Sequence, residues 1–356
     1  MAPLIAVWFG LLQSSVVRGL KRLCGRGEDA LRFMIAAACT ALGLLAALPA
    51  SAACSFKVLP IPLKMVGLRP TVTVRIDGKD LNFLIDSGSA VNFISNRLTA
   101  GHLAISPQDM SGAAGKKISV GRIVVSRVEF LGAGFKDQLF SVSDKLGEAD
   151  GMLGQPMLRR MDVEYDLHGG VIRLVKTEDC KGAEMVYWLK TGQAYSKIPM
   201  AWTDPNDTHT YGTVFINGQK MRAGFDTGSP ITFITKAAAA RAGVPVTGPG
   251  VTSIGKGRGL DSDFDAWVAN FADVKIGDEE IKNASLEIGQ SATDDFDILI
   301  GADFFVSHHV YVSHIQGKIY FAYEGGPVFQ GQQLRPSAAT SPQTGAAKAP
   351  DPIAQR

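Results

Sequence analysis

Asp86 and Asp226 stand in matching surroundings, Phe83-Leu84-Ile85-Asp86-Ser87-Gly88-Ser89 and Ala223-Gly224-Phe225-Asp226-Thr227-Gly228-Ser229, 140 positions apart. Two carboxyl groups held face to face cannot both be ionised, so they share a proton. The ionised member can then take a proton from a water held between them, while the protonated member polarises a carbonyl. That pair of acts hydrolyses an amide by direct attack of water, with no covalent enzyme intermediate. The neighbours have physical tasks as well. Gly88 and Gly228 allow a tight turn and a close approach to the opposite loop, where a Cβ would clash. Ser87 and Thr227 supply hydroxyls that can bridge to the backbone of the facing loop, and Ser89 and Ser229 are placed to donate to the outer carboxylate oxygens.

The aspartates meet only if the segments around them fold alike, and the repeat extends well beyond the two loops. Val74-Arg75-Ile76-Asp77-Gly78 and Val214-Phe215-Ile216-Asn217-Gly218 keep the spacing of 140, while Ile61-Pro62-Leu63 and Ile198-Pro199-Met200 lie 137 apart. Asp150-Gly151-Met152-Leu153-Gly154 matches Asp297-Ile298-Leu299-Ile300-Gly301 at 147, as does Gly170 with Gly317. A duplicated unit of this length is the signature of two copies of one lobe. Packed about an approximate two-fold axis, a loop near that axis faces its own copy. Hairpins are predicted from Val72 to Ile85 through Asp77-Gly78, and from Thr213 to Phe225 through Asn217-Gly218. One short helix per repeat is expected, capped by Thr235 and stopped by Gly243 in the second copy and weaker at Ser95 to Gly101 in the first.

The composition suits an exported two-lobed globule. Of 356 residues 46% are hydrophobic and 20% charged, enough apolar material for two ordinary cores. Residues 1–52 hold five basic residues (Arg18, Lys21, Arg22, Arg26, Arg32) against Glu28 and Asp29, leaving 31 basic and 32 acidic in the rest. A near-neutral body without a basic stripe gives no reason to propose nucleic acid as a partner. The apolar run Met34 to Pro49, followed by Ala50-Ser51-Ala52, reads as a signal peptide cleaved after Ala52; it is shorter than the ~20 residues of a spanning helix, so no stable membrane span is expected in the mature chain. A periplasmic or secreted location follows, with a lipid anchor through Cys54 as the alternative. Cys24 and Cys39 would leave with the leader. Cys54 and Cys180 remain, and an oxidising compartment invites one disulfide between them, the other reading being two unpaired thiols. From Gly325 the Pro/Ala/Gln/Ser-rich sequence reads as a disordered tail.

These residues resemble the aspartic protease clan, and within it the bacterial retropepsin-like proteins with two tandem lobes. Asp86-Ser87-Gly88-Ser89 and Asp226-Thr227-Gly228-Ser229 match the family's catalytic loops, and Gly151–Gly154 and Ile298–Gly301 match its supporting apolar-apolar-Gly strand. The resemblance spans residues 58 to 324. It implies an all-β fold of two pseudo-symmetric lobes, 53–176 and 197–324 joined by a linker 177–196, with an interlobe cleft that binds an extended peptide under a flap. The flap candidates are Ser111-Gly112-Ala113-Ala114-Gly115 and Ser253-Ile254-Gly255-Lys256-Gly257, whose Gly112, Gly115, Gly255 and Gly257 fit a mobile glycine flap of the retroviral kind; neither holds the flap tyrosine of pepsin-like enzymes.

Other features have plainer readings. His308-His309 and His314 fit a strand with exposed imidazoles better than a metal cluster, and no metal or other cofactor is expected. Trp188 and Trp202 flank the start of the second repeat as packing residues. The expected function is therefore aspartic endopeptidase, monomeric, with Asp86 and Asp226 as its dyad and peptide or protein as substrate. The alternative is a non-catalytic peptide-binding module that keeps the cleft.

Overall fold

Apolar residues alternating with polar ones on either side of an Asp-Gly or Asn-Gly step build one hairpin twice. Arg69–Ile76 pairs antiparallel with Lys79–Ile85, and Tyr211–Ile216 with Gln219–Phe225. The two-residue turns need positive φ at both positions, and Asp77, Gly78, Asn217 and Gly218 adopt 51°, 75°, 47° and 75°. The computed structural model describes residues 54–329 apart from 113, 131, 202–207, 260 and 292–293. The expected leader, Cys24, Cys39, Trp202 and the sequence beyond Phe329 lie outside the described residues.

Each hairpin opens a sheet of the same order. In the first half the neighbours run Lys64–Val66, Arg69–Ile76, Lys79–Ile85, Gly151–Leu153, Phe93–Ile94, Ala133–Val142, Lys117–Phe130 and Leu103–Ser111. In the second they run Tyr211–Ile216, Gln219–Phe225, Ile298–Ile300, Phe233–Thr235, Glu279–Gly289, Asp263–Ile276 and Thr252–Arg258. The fold is all-β and two-lobed. In both halves the strand that ends at the aspartate pairs in parallel with the short apolar strand of the supporting segment, Ile85 opposite Leu153 and Phe225 opposite Ile300.

A third sheet joins the halves. Its order is Ser55–Pro62, Val171–Glu178, Asp162–Asp166, His308–Ser313, Lys318–Tyr323 and Ser196–Pro199, three strands from each repeat. The central strands pair Val163 with Val312, Glu164 with Tyr311 and Tyr165 with Val310. Since Val163 and Tyr165 correspond to Val310 and Val312 at the repeat spacing of 147, this pairing is self-matching about Glu164 and Tyr311, as in an isologous dimer interface. The pseudo-two-fold axis therefore passes through the middle of this sheet. Cys54 and Cys180 form a disulfide with Cα atoms 4.4 Å apart, fastening the start of the outer strand to the chain that leaves for the second lobe.

Helices are few. Lys236–Arg241 is capped by Thr235, whose hydroxyl accepts the Ala238 N–H at 3.2 Å, and Gly243 ends it at φ 81°. Its first-repeat counterpart is only a 3-10 turn, Asn96–Leu98. Two further short helices, Gln155–Leu158 and Ala302–Phe305, follow the supporting glycines. The second lobe also reaches past its expected edge at residue 324. Phe329 is 2% exposed and stacks on Phe304 with ring centroids 6.1 Å apart, so the segment read as tail from Gly325 contributes an aromatic anchor that its Gly/Pro-rich setting hid. No helix among the described residues is long and apolar enough to cross a membrane.

The disulfide closes a loop of 126 residues, so replacing both cysteines with serine should lower the unfolding free energy by about 2–4 kcal/mol. Urea denaturation of the two proteins measures this; coincident midpoints would mean that the tie adds nothing.

Candidate active site

The two Asp-Ser/Thr-Gly loops are bolted together before either carboxyl group is considered. The Ser87 hydroxyl donates to the Phe225 carbonyl at 2.9 Å and accepts the Thr227 N–H at 3.0 Å. The Thr227 hydroxyl donates to the Ile85 carbonyl at 2.8 Å and accepts the Ser87 N–H at 3.1 Å. Each hydroxyl uses both its donor and an acceptor on the opposite loop's main chain. Both residues are buried, where an unmade bond of this kind costs about 1–3 kcal/mol. Behind the loops, the Asp86 and Asp226 amides donate to the Leu153 and Ile300 carbonyls at 3.0 and 2.9 Å. The following glycines are held by side chains: Asn92 accepts the Gly154 N–H at 3.0 Å and Thr232 accepts that of Gly301 at 2.9 Å.

This brace puts the aspartates against each other's loops. A Cβ built on Gly88 would lie 2.6 Å from both carboxylate oxygens of Asp226, and one on Gly228 would overlap the Asp86 carboxylate. Glycine is required at both positions because the facing carboxylate occupies the space. Within its own loop each carboxylate accepts a main-chain N–H, Gly88 to Asp86 at 2.9 Å and Gly228 to Asp226 at 2.8 Å, with Ser229 adding a third at 3.2 Å.

The hydroxyls of Ser89 and Ser229 do not take the role expected of them. They donate to the carbonyls of Val91 and Ile231 at 2.8 and 2.9 Å, closing local turns. Side-chain-to-backbone bonding two residues away competes successfully with the carboxylates, and orientation of the acids falls to main-chain amides.

Burial, then the charge and hydrogen bond of Asp226, push the Asp86 carboxyl well above the ordinary aspartate range, against the opposing pull of the Gly88 N–H and Arg69. The raised Asp86 carboxyl favours a single proton held by the coupled pair. Beneath the brace lies Tyr165 from the joining sheet, its phenol driven upward by burial against a smaller opposing pull from Ser87, a neutral group. Gln155 is also buried there; its amide donates to the Ser87 carbonyl at 2.6 Å, while its Oε1 has no partner. Neither residue carries a sequence motif, and only the fold brings them under the loops.

A second buried acid, Asp303, accepts the Thr232 hydroxyl at 2.6 Å and the Thr232 and Phe304 amides at 2.9 and 3.0 Å. Burial outweighs these bonds and raises it to about 6. It fixes Thr232, which holds Gly301 behind Asp226.

His308 and His309 lie on a strand and His314 in the turn after it, but their imidazoles are not exposed. His308 is fully buried between the Glu279 carboxylate, at 3.0 Å from both oxygens, and the Phe304 carbonyl at 2.9 Å. His309 contacts Glu164 at 2.8 Å and Glu324 at 3.2 Å, and His314 contacts the Met161 carbonyl at 2.8 Å. The alternation that suggested exposure belongs to a strand covered on both faces. Asp166, His309 and Glu324 bring potential ligand atoms within 4.8 Å of one another, but the positive charge in this cluster comes from Arg173, bonded to Glu164 and Asp166 at 2.5 and 3.3 Å. Burial pushes Glu164 up, and its bonds to His309, Tyr187 and Arg173 outweigh it, holding the carboxyl below its usual range. Trp188 stacks on His309 with centroids 4.6 Å apart.

The flap candidates divide. Gly112 and Gly115 form the tip between Leu103–Ser111 and Lys117–Phe130, closed by the Gly115 N–H to Gly112 carbonyl bond at 2.9 Å with Gly115 at φ 79°. Gly255 and Gly257 lie inside strand Thr252–Arg258, at and just beyond a bulge, and a Cβ on Gly257 would sit 2.5 Å from the Phe264 ring. Gly257 serves strand packing and Gly255, at φ 88°, the bulge; the second tip is closed by the Gly259 N–H to Ser262 carbonyl bond at 3.0 Å.

The sequence model of the aspartyl protease family matches residues 72–157 and 212–304, together half of the chain and one stretch in each lobe. The chain belongs to this aspartyl protease family. Among solved structures it is similar to an aspartic proteinase from Irpex lacteus, at 12% identity and a TM-score of 0.50 over 75% of this chain and 97% of that one, a likeness of fold. No curated protein matches the sequence at a comparable level.

Because Asp303 binds its proton more tightly when folded than when unfolded, its protonated form stabilises the protein below about pH 4, and that contribution is lost as pH rises through about 6. Relative to Asp303→Asn, the wild-type protein should lose about 2–3 kcal/mol of unfolding free energy between these limits. Chemical denaturation of both proteins across the range tests this, and a pH-independent difference contradicts it.

Proposed function

We propose that the protein is an aspartic endopeptidase that hydrolyses peptide bonds with a water activated between Asp86 and Asp226. One observation carries the reading: each aspartate lies against the glycine of the other loop, within a brace that leaves the two carboxyl groups facing one another. In this reading Asp86 carries the shared proton and donates toward the carbonyl oxygen of the scissile bond. Asp226 accepts a proton from the water as its oxygen attacks the carbonyl carbon. The resulting gem-diol collapses as a proton passes to the amide nitrogen, and the C–N bond breaks to give a carboxylic acid and an amine. The amides of Gly88, Gly228 and Ser229 fix the carboxylates in place.

The proposal extends to the setting. A substrate lies extended between the lobes, and since both halves of the dyad are on one chain a monomer suffices. Export to a periplasmic or extracellular space is supported by the apolar leader and by the Cys54–Cys180 bond, which persists in an oxidising compartment.

A mixed peptide library incubated with purified protein from acid to neutral pH tests the reading. Asp86→Asn and Asp226→Asn should each lower cleavage by about 10³-fold, the scale of a lost proton-transfer partner. Wild-type activity should decline as rising pH takes the proton from the pair, along an upper limb displaced above the usual aspartate range. Cleavage that survives both substitutions rejects the dyad. Binding of peptides without cleavage by the wild type favours the non-catalytic module instead.

A further inference from the structure

The tips of the two hairpins are joined across the lobes by a single side chain. Asp261, at the second tip, is 5% exposed, and its carboxylate reaches the other lobe's hairpin. Oδ1 accepts the Ala114 N–H at 3.2 Å and Oδ2 accepts the Lys116 N–H at 2.8 Å. Its main-chain carbonyl accepts the Lys145 ammonium of the first lobe at 3.2 Å. The approach depends on glycine: a Cβ on Gly112 would stand 2.7 Å from Asp261 Oδ1. A carboxylate taking two main-chain amides is a charge-assisted pair, stronger than neutral bonds between the same groups.

The position of this contact gives it a role. Tips from two pseudo-symmetric lobes that touch must meet on the axis relating the lobes, and the facing aspartates lie on that axis too. The joining sheet closes the axis on the side of Tyr165. Met110 of the first hairpin packs against the cluster of Leu84, Phe93, Leu146, Ala149 and Met152, in which Leu84 is two residues from Asp86. The contact is also one-sided. Strands Lys117–Phe130 and Asp263–Ile276 correspond, which sets Asp261 against Gly115 of the first repeat. One lobe presents a carboxylate and the other presents bare amides, and two identical tips could not both do so.

We infer that Asp261 is the clasp of a two-hairpin lid, and that an extended peptide reaches the dyad only when this clasp opens. Asp261 is a positioning residue, acting on access through the hairpins and not on the reacting atoms. The clasped form excludes substrate, so apparent affinity is reduced by the fraction of molecules that are open. This inference rests on the proposed function for its kinetic consequence, while the clasp itself is open to test without any activity.

Amide hydrogen exchange on the intact protein, followed residue by residue, is that test. In Asp261→Ala the Ala114 and Lys116 amides should exchange at least tenfold faster, while those of Asp86 and Asp226 keep their protection. Gly112→Ala, which pushes the carboxylate out from the opposite lobe, should produce the same pattern, and Asp261→Asn, which keeps one acceptor, an intermediate one. With a cleaved peptide, the two alanine variants should show a KM several-fold lower, the change falling in KM and not in kcat. Unchanged exchange at Ala114 and Lys116, or acceleration spread equally over all four amides, overturns the clasp. Faster local exchange with KM raised or unmoved overturns its role in access. If the wild type cleaves no peptide, exchange still decides whether the clasp exists, and that failure falls on the proposed function alone.

Discussion

Two hydroxyl groups set the geometry on which everything else here depends. Ser87 and Thr227 each give a proton to, and take one from, the main chain of the opposite loop, and all four bonds are buried. Such an arrangement tolerates little displacement, since sliding one lobe against the other would strand several buried polar groups together. The facing carboxyls follow from it. Placing two acids side by side where water is restricted is unfavourable, and the rest of the fold offsets that cost: the loops are locked, the supporting strands are paired, and the joining sheet ties the lobes at the other end of the axis.

The pseudo-symmetry is maintained where the loops meet and relaxed elsewhere. Asn92 and Thr232 hold corresponding glycines with different chemistry, a carboxamide in one lobe and a hydroxyl in the other. Only the second lobe needs the buried acid Asp303, because it steadies the shorter Thr232 side chain. Only the first lobe places Gln155 beneath the loops, where the second has Ala302. Two copies of one unit have thus diverged in the residues that support the aspartates while keeping the contact between them.

Much of this was legible in the sequence because it rests on local signals. Asp77-Gly78 and Asn217-Gly218 name their turn type, Thr235 and Gly243 bracket a helix, and the constant spacing of 140 places both aspartates at equivalent points of one unit. Which of several available partners a side chain takes was not legible. Ser89 and Ser229 could have bonded either the carboxylate or their own turns, and only the loop conformation decides between them. Glycine content marked Gly255 and Gly257 as a flap, yet Gly257 admits the Phe264 ring, a cross-strand neighbour whose register no composition reveals, and Gly255 takes the positive φ of the bulge. Tyr165, Gln155 and Asp261 sit in ordinary sequence and acquire meaning only from what the fold sets opposite them. His308 and His309 looked exposed because the carboxylates that satisfy them in a fully covered strand, Glu279 and Glu164, come from other strands.

The central claim is that Asp86 and Asp226 form one electrostatic unit. Carbon-13 labelling of aspartate Cγ, followed by NMR titration, addresses it directly, with Asp86→Asn identifying the resonance. The account predicts that the Asp86 carboxyl titrates well above the ordinary aspartate range and moves downward in Asp226→Asn, keeping only the part of its displacement that burial supplies. An Asp86 resonance that titrates like an exposed aspartate, or that is indifferent to the loss of the Asp226 charge, would contradict it.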